Sequence, residues 1–87
     1  MSCPRLDAGP LVAAVQARCR ARRLGLYDLF VDPALVRAYM RAKHEGALTL
    51  RALEGLCDAQ QWHPRELYGD RYDVAAFQDG PAHRVGV

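Results

Sequence analysis

Two segments constrain this chain more than any other part of it: Val31-Asp32-Pro33-Ala34-Leu35-Val36 and Trp62-His63-Pro64-Arg65-Glu66-Leu67. In each, a residue able to cap a helix (Asp32, His63) stands directly before a proline. Proline suits the first helical position because the N–H it lacks would have no partner there anyway. Each segment also sets an apolar residue before the cap and another at the fourth helical position, the spacing of a hydrophobic staple. The pattern predicts helices opening at Pro33 and Pro64, with a basic amphipathic stretch, a short turn and a further amphipathic helix between them.

The remaining elements follow from apolar spacing. A first helix is predicted from Gly9-Pro10 to about Arg23, with Leu11, Ala14, Val15 and Cys19 on one face and Gly25 ending or kinking it. Its last turns hold Arg18, Arg20, Arg22 and Arg23, where the helix dipole favours cations. Leu26–Phe30 reads as a short apolar helix that needs packing to persist. In the third helix, Asp32 to about Ala42, Val36, Tyr39 and Met40 are expected to face inward and Arg37, Ala38 and Arg41 outward. Lys43–Ala47 reads as a loop, and Thr49 as the cap of a fourth helix striped by Leu50, Leu53, Leu56 and Cys57. Gly55 within that helix suggests the close approach of a neighbour. A fifth helix runs from Pro64 to Tyr68 and stops at Gly69.

These elements predict an all-α fold, a four- to five-helix bundle over residues 9–69, followed by a C-terminal extension over 70–87. Within the extension, Asp70–Phe77 is a candidate dimer element, as a strand or a short helix. Past Asp79-Gly80-Pro81 the chain reads as a frayed tail. The 87 residues allow one domain, and 51% hydrophobic content supplies a modest core. The apolar runs are too short to span a membrane. Met1–Pro10 holds Pro4, Asp7, Gly9 and Pro10, not the basic start and apolar stretch of a secretory leader, which predicts a cytoplasmic protein.

Charge is unevenly distributed. The net +2 divides into +5 over residues 1–44 and −3 over 45–87. A basic half joined to an acidic half suits a protein that offers one face to a polyanion.

Chemistry-bearing constellations are sparse. Cys57 and His63 lie six residues apart, and His44 and His83 have no ligand-type neighbour, so no metal or other cofactor is expected. Cys19 and Cys57 fall on apolar stripes, which points to buried reduced thiols, not nucleophiles. No phosphate-binding glycine loop occurs, no small-molecule substrate is evident, and an enzyme is not expected. Trp62 is expected to pack against Leu67, and Tyr27, Tyr39, Tyr68 and Tyr72 to line the core rim with their hydroxyls reaching water.

Thr49–Tyr68 (Thr-Leu-Arg-Ala-Leu-Glu-Gly-Leu-Cys-Asp-Ala-Gln-Gln-Trp-His-Pro-Arg-Glu-Leu-Tyr) resembles, without a gap, the fourth and fifth helices of the Cro/lambda-repressor-like helix-turn-helix family. Val31–Arg37 is similar to the start of that family's recognition helix, and Ala21–Leu26 to the end of its first helix. Two departures stand out. Leu29-Phe30 leads directly into Val31-Asp32-Pro33, shortening the second helix and omitting the turn glycine, and Gln61 stands where the family has glycine.

The resemblance implies a helix-turn-helix transcriptional regulator that binds duplex DNA sequence-specifically, with the helix at about 32–42 in the major groove. It implies base contacts from Arg37, which can bond bidentately to guanine, and from Ala34 and Ala38 by close approach. Phosphate contacts are implied for Arg41, Lys43, His44, Arg22 and Arg23. It also implies a homodimer on paired half-sites. The alternatives are a helical protein–protein adaptor on the same scaffold and a DNA-bending accessory factor for recombination.

Overall fold

The computed structural model describes residues 5–79. Over that span the chain runs β1 (Arg5–Asp7), α1 (Gly9–Arg22), α2 (Leu26–Phe30), α3 (Pro33–Glu45), β2 (Ala47–Thr49), α4 (Leu50–Ala59), α5 (Pro64–Tyr68) and α6 (Asp70–Asp79). The all-α architecture is present, with a small sheet and a sixth helix added to it. No described helix is long and apolar enough to cross a membrane.

The helix starts follow the local chemistry. The Asp32 carboxylate accepts from the Ala34 N–H at 2.9 Å, and Thr49 Oγ1 accepts from the Ala52 N–H at 3.2 Å. His63 Nδ1 accepts from the Arg65 N–H at 3.1 Å. The Glu66 carboxylate accepts in turn from the His63 N–H at 2.7 Å, completing a reciprocal capping box. Trp62 and Leu67 are both half-buried against the core, whereas the matching staple at α3 does not form, because Val31 is 77% exposed.

The core stripe of α4 (Leu50, Leu53, Leu56, Cys57) is buried, as are Leu11 and Val15 of α1. Full burial of one such leucine contributes about 1.5–3 kcal/mol. On α3 the inward residues are Val36, Tyr39 and Ala42, and Met40 is exposed, contrary to the spacing expectation. The inward stripe advances by threes and centres on Tyr39, so Met40 lies about 100° around the helix from it. Three of the four tyrosines also depart from the expected core rim. Tyr39 and Tyr68 are buried within the core, Tyr68 donating to the Asp7 carbonyl, and Tyr27 is 67% exposed. Gly55 has open space around it, so no neighbour accounts for it.

The stretch Lys43–Glu45, expected as loop, continues α3. What stops the helix is Gly46, which takes φ 77° and donates its N–H to the Ala42 carbonyl at 2.8 Å. The chain then enters β2, which pairs antiparallel with β1 in the register Arg5↔Thr49, Leu6↔Leu48, Asp7↔Ala47. Leu6 and Leu48 are buried opposite each other, which anchors the sheet to the core. At its end α1 stops before Gly25, through Arg23 in the left-handed conformation at φ 55°.

Beyond Gly69, α6 packs against α4, α5 and β1, so residues 70–77 belong to the same packed body as residues 9–69. Ala75 is buried, Tyr72 donates to the Glu54 carboxylate at 2.9 Å, and Arg65 pairs with Asp73 at 2.8 Å. Val74 and Phe77 point outward. The tail expected over 80–87 lies outside the described residues, as do Cys3 and His83.

Candidate nucleic-acid interface

The corner between α2 and α3 decides how α3 is presented. Only Val31 and Asp32 separate the two helices. Val31 adopts φ 66° and ψ −47°, and across it the Asp32 N–H donates to the Phe30 carbonyl at 2.6 Å. That is a γ-turn of the rare positive-φ kind, strained for any residue with a Cβ and most of all for a β-branched one. Just inside the corner the Phe30 and Tyr39 rings meet at 6.0 Å between centroids, tilted by 37°, which holds α2 against α3.

With Val36, Tyr39 and Ala42 turned inward, the opposite face of α3 is open. Ala34, Arg37, Ala38 and Arg41 line one wall of a groove of about 520 Å³. Ala47, Leu48, Thr49 and Ala52 form the other wall, and Arg5 and Glu45 also border it, paired at 2.6 Å. Among the described residues the ion pairs are Arg5–Glu45 and Arg65–Asp73, so Arg37 and Arg41 carry uncompensated charge.

The structure thus gathers four of the eight residues singled out by sequence: Arg37, Ala34, Ala38 and Arg41. Lys43 and His44 are exposed on the last turn of α3, outside the groove. At 100° per residue His44 falls on the same side of the helix as Arg37, whereas Lys43 lies roughly 120° away. Arg22 and Arg23 are exposed at the end of α1 and do not line the groove.

Arg18 has a different task. Its guanidinium donates to the Gln60 carbonyl at 2.9 Å and to Gln60 Oε1 at 3.3 Å, and lies 4.3 Å from the centre of the Trp62 ring. Gln60 is buried, and its Nε2 donates to the Leu29 carbonyl at 3.2 Å. This cluster ties α1, the end of α2 and the end of α4 together. Trp62 therefore packs beneath a cation as well as against the core. Sequence reasoning missed Gln60 and Arg5, since neither stands in a pattern and both act across more than thirty residues of chain.

Burial pushes the Cys57 thiol up to about 11, with Glu66 and Glu54 adding smaller contributions in the same direction, so it stays protonated and unreactive near neutrality. Cys19 is half-buried.

Comparison with protein-family models, curated proteins and solved structures returns no match. One local feature bears on the resemblance stated above. Gln61, standing where that family has glycine, takes φ 62°.

Proposed function

We propose that this domain binds duplex DNA through the outward face of α3, as a helix-turn-helix regulator of the Cro/repressor-like type. The observation that carries the reading is the outward stripe of α3, with Ala34, Arg37 and Arg41 exposed and Ala38 half-buried beside them. There two unpaired guanidinium groups stand beside small side chains that let a helix approach base edges. The left-handed Gln61 and the two proline-opened, side-chain-capped helices support the family pattern. Arg37 is assigned to base contact, Arg41, Lys43, His44, Arg22 and Arg23 to phosphates. Pairing of two copies across half-sites, control of transcription and a cytoplasmic location belong to the same reading.

Salt dependence tests it. Four cations on phosphates, Arg22, Arg23, Arg41 and Lys43, give a plot of log affinity against log salt a slope of about −3.6 per domain. Binding to duplex fragments that is absent, or insensitive to salt between dilute and physiological buffer, refutes the proposal. A second reading, a helical protein adaptor, draws on the exposed Tyr27 and Val31 beside Asp28 on the outer side of α2. An acid there is a poor neighbour for a phosphate backbone. Selecting fragments from random duplex DNA separates the two readings. A palindromic consensus supports the regulator, and no enrichment supports the adaptor.

A further inference from the structure

We propose that the groove between α3 and the β2–α4 segment binds a small organic anion: a carboxylate or phosphate monoester carrying an apolar body. Its volume, about 520 Å³, lies within the range of small-molecule sites and is far larger than an inorganic ion requires. The apolar part of the accessible lining is the exposed Ala34 with the half-buried Ala38, Ala47 and Ala52, while Ala42 and Leu48 lie beneath it in the core and Thr49 adds a hydroxyl to the far wall. At one wall stand Arg37 and Arg41, one helical turn apart, exposed, and without an acidic partner among the described residues.

Like charges at this spacing repel each other, and an anion placed between them relieves that repulsion. Guanidinium is also the cation best shaped to hold a planar carboxylate or a phosphate by paired hydrogen bonds. Glu45 is the acidic residue bordering the groove, and Arg5 engages it at 2.6 Å. The head of the ligand therefore meets Arg37 and Arg41 while its apolar part covers the accessible methyl groups of Ala38, Ala47 and Ala52. Neither inorganic phosphate nor a neutral aromatic molecule satisfies both halves of the site. Because the groove shares Arg37 and Arg41 with the assigned DNA face, an occupied groove excludes DNA. Only that regulatory consequence rests on the DNA reading.

The test is amide chemical-shift titration of the full chain with phenyl phosphate, inorganic phosphate and benzyl alcohol in parallel. Phenyl phosphate is expected to move the amides of Ala38, Thr49 and Ala52 saturably, with an affinity at least about tenfold above either comparison compound, since only it meets both halves of the groove. Arg37→Gln with Arg41→Gln, both exposed positions, is expected to weaken binding by about tenfold or more while leaving the spectrum dispersed. Glu45→Gln, which removes the acid and releases Arg5, is expected to tighten it severalfold. Shifts that do not saturate, equal affinity for phenyl and inorganic phosphate, or an unchanged affinity in both variants would overturn the proposal. Failure of phenyl phosphate to displace duplex DNA, despite saturable shifts, counts against the DNA assignment of this face and leaves the anion site standing. Binding of DNA without binding of phenyl phosphate has the opposite meaning.

Discussion

Replacing Val31 with glycine should make this protein more stable, although it removes a side chain. Val31 is held at φ 66° and ψ −47° between two helices, a conformation whose strain amounts to about 1–3 kcal/mol, the upper end applying to a β-branched residue. Glycine adopts it freely, but its extra freedom in the unfolded chain costs about 1 kcal/mol. Because the valine is 77% exposed, the apolar burial forfeited is small, about 0.5 kcal/mol. The balance favours the variant by about 1 kcal/mol, which for a domain of this size raises Tm by roughly 4–8 °C. Urea unfolding followed by far-ultraviolet circular dichroism, checked by a thermal scan, reads the difference directly. Val31→Ala serves as the control. It discards the exposed apolar surface but keeps a Cβ at positive φ, so it should recover much less. A Val31→Gly midpoint at or below that of the parent, or a gain matched by alanine, refutes the strain argument. Since the same corner sets the exit of α3 from α2, loosening it is expected to weaken DNA binding even as the fold gains stability.

Other changes test the remaining parts of the structure. Gln60→Ala leaves the buried Leu29 carbonyl without its donor and strips one acceptor from Arg18, so stability should fall by about 1–3 kcal/mol in equilibrium unfolding. The Cys57 thiol, raised from 9.0 to about 11 by burial, keeps its proton in the folded state where the unfolded chain has lost it. Its contribution is therefore complete below pH 9 and is lost as pH climbs toward 11. The urea midpoint should decline across that window, and Cys57→Ala should make the decline shallower, most clearly between pH 9 and 10. Burial also raises the Tyr68 hydroxyl from 10.0 to about 12, which adds to the decline above pH 10. A midpoint that rises with pH there contradicts the assignment. In DNA binding, Arg37→Ala is expected to relax base preference, whereas Lys43→Ala should lower affinity evenly across sequences, as measured by fluorescence anisotropy on a panel of duplexes. Unchanged binding in both variants places the interface elsewhere.

Elements whose signals are local were readable from sequence. Asp32-Pro33 and His63-Pro64 announce α3 and α5 because cap and proline act within one turn, and the leucine stripe of α4 states its own buried face. The end of α3 is not legible, because Lys43, His44 and Glu45 are compatible with either helix or loop, and Gly46, which decides it, reads in sequence as one more loop residue. The sheet was not legible at all. Strands of three residues are too short for their alternation to stand out, and Leu6 and Leu48 are separated by 41 residues of intervening chain. The candidate site divides the same way. The spacing of Arg37 and Arg41 along α3 could be read from sequence, but the wall facing them comes from β2 and the start of α4, whose position depends on that unseen pairing.

The little sheet also bears on how the molecule breathes. Its three-residue ladder closes a ring of chain whose entropy opposes closure, and helices made of neighbouring residues face no such opposition. β1 is therefore the piece most ready to detach while the helices stay put. Its detachment would take Arg5 away and leave Glu45 without its counter-charge at one end of the groove. A fluctuation at the edge of the fold would thereby reach the cationic face, and what opposes it is the Leu6–Leu48 pair together with the Tyr68 bond to the Asp7 carbonyl and the packing of α6 on β1.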